Sequence, residues 1–238
     1  MSGIAMEQEA DRKAASKTVP GPILLLGAPG VGKGTQAKAL VKLWSIPQIS
    51  TGDLLRANAA EGTAQGLAAQ EIMKRGELVP DALVNEMVAL RLEKPDAARG
   101  YILDGFPRTL PQAKWLDDRL AAQPGSLPVV AVSLRVDYNI LLRRITGRRN
   151  CPVCQSIYNI YSNPPQREGF CDVEGAALAQ RADDVETVFA ERMRAYAGQT
   201  APVVEHYRAL GRFVEEDGDG PIAAIAAEIV AAVARLRK

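Results

Sequence analysis

The chain has 238 residues, enough for one large domain or one domain with insertions. A hydrophobic fraction of 47% is ample for a packed core, and a net charge of +1 gives no global pull toward nucleic acid or a membrane surface. No stretch reaches the roughly 18 apolar residues of a membrane span, and three cysteines fit a reducing cytoplasm better than a disulfide scaffold.

Residues 1–20 are polar and alanine-rich and are expected to form a flexible tail. They lack the apolar core of a signal peptide. Glu7, Glu9 and Asp11 separate them from acid-poor transit peptides. Residues 21–238 are expected to form the folded domain.

Five apolar or β-branched runs alternate with helical patterns: Ile23–Leu26, Pro47–Ser50, Tyr101–Leu103, Val129–Val136 and Arg212–Glu215. Strands alternating with helices predict an α/β fold, a parallel sheet covered on both faces. Ligands in such folds gather at the carboxyl ends of the strands. The C-terminal segment sets Ile222, Ile225, Ile229, Val233 and Leu236 at helical spacing, an apolar face packed on the sheet. Trp44 and Trp115 read as packing residues, and His206, the only histidine, as a surface residue.

The first strand runs into Gly27-Ala28-Pro29-Gly30-Val31-Gly32-Lys33-Gly34-Thr35, and a helical pattern follows from Gln36 to Trp44. A buried strand, a glycine-rich turn and a helix are the context of a phosphate-binding loop. Glycines let the backbone curl and aim several N–H groups at one point. The helix adds its free N-terminal donors and the positive end of its dipole. Lys33 adds a point charge suited to a phosphoryl oxygen. The general motif ends Gly-Lys-Ser/Thr, whereas Gly34 follows Lys33 here and the hydroxyl comes at Thr35.

Two further stretches sit at strand ends. One is Ser50-Thr51-Gly52-Asp53-Leu54-Leu55-Arg56. The other is Leu103-Asp104-Gly105-Phe106-Pro107-Arg108-Thr109, with Gln112 just beyond. Taken alone they are a helix start and a turn. Taken with the loop and with Gly76-Glu77-Leu78-Val79-Pro80-Asp81, their order and spacing resemble the adenylate kinase family, from about Ile23 to the C-terminal helix.

The resemblance implies a three-layer P-loop fold with a five-stranded parallel sheet, inserted AMP-binding helices and a small lid. It implies a core of residues 21–49, 80–146 and 185–238, an AMP-binding insertion of 50–79 and a lid of 147–184. The Gly-Lys-Gly-Thr ending is usual in that family. Thr51, Arg56, Glu77, Leu78, Val79, Gly105, Phe106, Pro107, Arg108, Gln112, Arg181 and Arg192 are implied to hold AMP. The physical types suit this: Arg56 and Arg108 can fork onto a phosphate, and Gln112 offers a donor and an acceptor to adenine. Gly30, Val31, Gly32, Lys33, Gly34, Thr35, Arg148, Ile157, Tyr158 and Gly220 are implied for ATP, with backbone of residues 218–222 near its base. Asp53 and Asp104 are implied to orient waters around Mg²⁺.

From Arg143 the composition turns arginine-rich: Arg143, Arg144, Arg148, Arg149, then Arg181 and Arg192. A block of arginines is commonly a solvated face. Here the block brackets an insertion in a phosphate-binding fold. Phosphoryl transfer needs positioning, neutralised charge and exclusion of water, and a closing lid that delivers arginines meets all three. By resemblance Arg144, Arg148, Arg181 and Arg192 join Lys33 and Arg108 as the catalytic cations, with Asp183 and Asp184 orienting them.

Inside the insertion lie Cys151-Pro152-Val153-Cys154, sixteen further residues, then Cys171-Asp172-Val173-Glu174. Two such units read as a structural zinc site of Cys151, Cys154, Cys171 and Glu174, with Asp172 less well spaced for the fourth place. The alternative is a zinc-free lid with three thiols. The activity implied is ATP + AMP ⇌ 2 ADP with Mg²⁺, in a cytoplasmic monomer without nucleic-acid or membrane partners. The rivals are a related kinase acting on another base, such as UMP, CMP or GTP, and a non-catalytic P-loop module whose lid is a protein-binding knuckle.

Overall fold

The computed structural model describes residues 20–238. The expectation for the tail therefore lies, Pro20 aside, outside the described residues. The sheet has five parallel strands in the order β2-β3-β1-β4-β7, as the alternating pattern predicts. They are β1 (Gly21–Leu26), β2 (Gln48–Ser50), β3 (Gly100–Asp104), β4 (Val130–Arg135) and β7 (Phe213–Asp217). The register pairs Leu24 with both Leu103 and Ala131, which puts β1 at the centre.

The side-chain period of two splits β1 between two cores. Leu24 and Leu26 pack on one face of the sheet with Leu103, Val84, Leu116, Val203 and Tyr207. Ile23 and Leu25 pack on the other with Ile102, Leu40, Ile145, Phe189, Ile229 and Val233. The first face is covered by α4 (Asp81–Leu92), α5 (Leu110–Ala121) and α8 (Ala201–Ala209). The second is covered by α1 (Lys33–Trp44), α6 (Tyr138–Thr146), α7 (Glu186–Ala195) and α9 (Ile222–Leu236). Both faces being covered explains why β1 is apolar throughout.

Two helices rise from the end of β2: α2 (Thr51–Ala60) and α3 (Ala64–Lys74). Ser50 caps the first by accepting from the Asp53 amide, and Thr63 caps the second by accepting from the Gly66 amide. A Cβ on Gly66 would lie 2.3 Å from the Asn58 carbonyl carbon, so the pair packs with backbone on backbone. Between α6 and α7 lie β5 (Arg148–Asn150) and β6 (Ile157–Asn159), an antiparallel pair with its own small core of Cys151, Tyr158 and Cys171.

Trp44 is buried in the second core, and Trp115 packs edge-on against Phe106, as expected. Two expectations need correction. Ile222 is 53% exposed although its angle on α9 matches Ile225 and Ile229, because it starts the helix with nothing packed over that first turn. His206 is half-buried: its Nε2 meets Asp117 at 2.8 Å, and Arg212 grips the same carboxylate. That pairing draws the ring off the surface. Among the described residues no helix is long and apolar enough to cross a membrane.

Candidate active site

The loop between β1 and α1 takes three left-handed glycines, Gly27 (φ 127°), Gly30 (φ 84°) and Gly32 (φ 106°). Gly30 also admits α6: a Cβ there would lie 2.9 Å from Ile145. The loop closes around Lys33, whose Nζ donates to the Gly27 carbonyl at 2.7 Å and the Ala28 carbonyl at 3.0 Å. Burial pulls the Lys33 ammonium down to about 8; Asp104 opposes this, and Arg108, Arg192 and Arg148 reinforce it. Thr35 is half-buried in the first turn of α1.

Gly34 now has a physical reason. A Cβ on it would stand 3.2 Å from Asp104 Oδ2. The missing side chain lets the Asp104 carboxylate sit against the start of α1. Gln48 Nε2 donates to the same Oδ2 at 3.0 Å and fixes it there. The other acidic residue, Asp53, stands in the first turn of α2 and pairs with Arg56. Burial works to raise its carboxyl, but the charge and hydrogen bond of Arg56 and the Ser50 hydroxyl outweigh it and hold it below the ordinary range.

The expected AMP residues gather at the ends of β2 and β3. Thr51 Oγ1 donates to the Gly105 carbonyl at 2.8 Å, and Arg108 Nε donates to that carbonyl at 2.8 Å. Gly105, at φ 77°, leaves room for both: a Cβ there would meet Arg108 at 3.0 Å and Thr51 at 3.2 Å. Gln112 accepts the Arg108 amide at 2.7 Å and donates to Asp81 at 2.7 Å. These bonds hold the amide in place and leave one N–H and one oxygen lone pair for a base. Leu78 and Phe106 line the cleft, Val79 and Phe106 are buried, and the exposed Glu77 pairs with Arg75. The cleft holds about 510 Å³ of open space, with Lys33, Arg108 and Arg192 on its walls.

The arginines expected to act with the lid have different stations. Arg148 forks onto the fully buried Asp184, with Nε at 2.7 Å from Oδ2. Arg192 bonds Asp183 at 2.9 Å and lies 3.8 Å from Asp184. Arg181 stands 4.0 Å from Asp53 across the cleft. Burial first, then the charge of Arg192, lowers Arg108 to about 10. Burial first, then Arg148, lowers Arg181 to about 10. Both remain cations at neutral pH. Arg144 is set apart: its guanidinium donates to the Val31 carbonyl at 3.2 Å, the Gly218 carbonyl at 3.0 Å and Asp219 at 3.0 Å. It staples the phosphate loop to the turn before α9, where Gly220 is exposed. Ile157 opens β6, opposite Asn150. Tyr158 faces inward rather than toward the cleft: its hydroxyl accepts from the Asp172 amide at 2.9 Å and lies 3.5 Å from Cys171 Sγ.

Cys151, Cys154 and Cys171 place their sulfurs within 4.8 Å of one another. Their two turns share one backbone design. The Cys151 amide donates to Ser156 and the Gln155 amide to Cys151; the Cys171 amide donates to Ala176 and the Gly175 amide to Cys171. Gln155 (φ 59°) and Gly175 (φ 64°) adopt the same left-handed conformation. Backbone N–H groups of residues 153 and 154 approach Cys151, and those of 173 and 174 approach Cys171. In this repeat Glu174 occupies the place of Cys154. Its side chain is exposed and its carboxylate is not in the sulfur cluster, since a carboxylate beside three thiols gains nothing to offset lost water. Asp172 accepts from the Gln166 amide instead.

A family model described as "Adenylate kinase" matches residues 25–212. The chain belongs to the adenylate kinase family. It is 48% identical over 207 residues to an adenylate kinase of Nitrosococcus oceani, covering 87% of this chain and 95% of that protein. It is 47% identical to the adenylate kinase of Thermodesulfovibrio yellowstonii (84% and 93% covered) and 43% identical to that of Methanocella arvoryzae (90% and 98%). Sequence reasoning passed over Gln48 and Thr200 and named Asp81 only as part of a motif, yet each holds a motif residue in place. The short β2 strand and the residues around Thr200 carry no signal for such roles.

Proposed function

We propose that the chain catalyses ATP + AMP ⇌ 2 ADP with Mg²⁺, balancing adenine nucleotides in a reducing cytoplasm as a monomer. The observation that carries this is the gathering of arginines from three parts of the chain around the phosphate-loop lysine: Arg108 and Arg192 line its cleft, Arg148 lies close enough to act on Lys33, and Arg56 close enough to act on Arg108. Those parts are the core, an acceptor-side insertion of residues 50–79 and a lid of 147–184.

On this reading the Gly30–Thr35 backbone and Lys33 hold the ATP phosphates. Arg56 and Arg108 fork onto the AMP phosphate, with Thr51, Gly105 and the 77–79 backbone shaping its pocket. An AMP phosphate oxygen attacks the γ-phosphorus in line. The bond from that phosphorus to the β–γ bridging oxygen breaks, and ADP leaves from each side. Charge spreads over the transferring group, and Lys33, Arg108, Arg148, Arg181 and Arg192 supply the cations that offset it. Arg144 acts from behind the loop.

Asp53 and Asp104 are oxygen donors that fit the outer sphere of magnesium, and Gln48 and Gly34 fix the second of them where the loop ends. When bound, Mg²⁺ neutralises charge on the donor phosphates. The three sulfurs, the donated amides and the fourth place at Glu174 fit a structural zinc ion.

ADP formation from ATP is measured with AMP, CMP, UMP and GMP offered in turn. AMP should be the strongly preferred acceptor. Preference for another acceptor overturns the assignment of base, and no ADP with any acceptor points to a binding module.

Lys33 gives a pH test. A lysine lowered to about 8 is charged at pH 7 and mostly neutral at pH 9. The free enzyme reports in kcat/KM, so kcat/KM for ATP should fall on the alkaline side through about 8. Bound phosphates retain the proton, so the same limb in kcat should lie higher. A kcat/KM profile flat to pH 10 would show instead that the Lys33 ammonium is not lowered in the free enzyme.

A further inference from the structure

Between α7 and α8 the helix does not stop. It passes through a π-turn, Tyr196–Thr200, closed by the Ala201 amide on the Tyr196 carbonyl. Ala195, Tyr196 and Thr200 line the same cleft as Arg108 and Arg192. In a straight α-helix Thr200, eight positions past Arg192, would point about 80° to one side of it. The extra residue of the π-turn brings the two onto one face. Thr200 is 7% exposed, and its Oγ1 donates to the main-chain carbonyl of Arg108 at 2.9 Å.

Arg108 is thereby fastened three times. Its amide donates to Gln112, its Nε donates to Gly105, and its carbonyl accepts from Thr200. The third fastening opposes a specific force. Arg192 is a like charge close enough to act on Arg108, and Arg192 rides on the same continuous helix as Thr200. The helix that repels the guanidinium therefore also holds its backbone, which fixes the separation of the two cations.

We propose that Thr200, delivered by the π-turn, is a positioning residue that sets Arg108 for phosphoryl transfer. The proposal rests on the role given to Arg108 above. Thr200→Val keeps the shape and removes the hydroxyl; Thr200→Ser keeps the hydroxyl. Expected for Thr200→Val is a kcat lowered about tenfold with KM for ATP within twofold of wild type. Thr200→Ser should return kcat to within about threefold. In an Arg108→Ala background Thr200→Val should have no further effect, because residues acting through one another are not additive. If circular dichroism shows Thr200→Val unfolded, Thr200→Ala takes its place in every comparison.

The proposal falls if the hydroxyl-free variant matches wild type while Arg108→Ala is impaired, if Thr200→Ser is impaired as much, or if the loss persists undiminished without Arg108. An unimpaired Arg108→Ala overturns instead the role of Arg108 itself.

Discussion

Replacing Arg108 by alanine is expected to lower kcat by about a thousandfold, roughly 4 kcal/mol of transition-state stabilisation, while the fold remains. The magnitude follows from its place. Its side chain lines the cleft beside Lys33 and Arg192, and its position is set by bonds at both ends of its backbone. A group so fixed need not move as charge builds on the transferring phosphoryl. Stability should respond the other way. Arg108 is half-buried and feels the like charges of Arg192 and Arg56, so its removal relieves repulsion and costs few contacts. A melting temperature within a few degrees of wild type, or above it, is the companion result. Arg108→Lys should recover little, because an ammonium cannot offer two parallel donors to one phosphate. Initial rates at saturating ATP and AMP test this directly. Either variant within twofold of wild type would remove Arg108 from the chemistry.

What the sequence could reveal follows physical reach along the chain. The five strands were legible because each is a short apolar or β-branched run, and the order of their loops carried the motifs. β7 shows the boundary of that legibility: it extends to Asp217, past the expected Glu215, because backbone pairing with Arg135 continues after the apolar residues end. Gly34 was visible only as a departure from a motif, since its cause is a carboxylate seventy positions away on β3. Thr51, Arg56, Arg108, Arg181 and Arg192 were legible as residues: Arg108 and Arg192 line the cleft, Thr51 bonds Gly105 on its wall, and Arg56 and Arg181 both approach Asp53. The bonds that hold the motif residues were not legible, because Gln48 fixes Asp104, Asp81 holds Gln112 and Thr200 holds Arg108 across the tertiary structure. Tyr158 was expected toward ATP and instead closes the cysteine cluster. Strand alternation alone cannot say which face of a two-stranded sheet is inside. The π-turn has only a slight cue in the sequence: Pro202, four positions after Gly198, cannot donate the amide a continuing α-helix needs there.

The lid tests how far backbone geometry can name a ligand. Protein purified without chelator is expected to carry about one equivalent of zinc, held by Cys151, Cys154, Cys171 and Glu174. Three sulfurs alone leave a tetrahedral ion one ligand short. The two turns repeat each other in hydrogen bonds and in left-handed residues, so the fourth ligand should come from the position equivalent to Cys154, and that position is Glu174. The lid has little else to hold it: its apolar cluster is the three cysteines and Tyr158 with Ala176 and Leu178 packed against them. Zinc binding energy would therefore act mainly on this segment. Stripping the metal should lower the melting temperature by about 10 °C, which at the usual slope for a chain of this size corresponds to about 3–4 kcal/mol. Activity at low temperature should fall much less, since no transfer group is a proposed ligand. Glu174→Cys should retain zinc against a chelator that empties the parent protein, and Glu174→Gln should release it more readily. Metal analysis below a tenth of an equivalent would sink the zinc site. Full zinc content in Glu174→Gln, with an unchanged melting temperature, would keep the site but take Glu174 out of it.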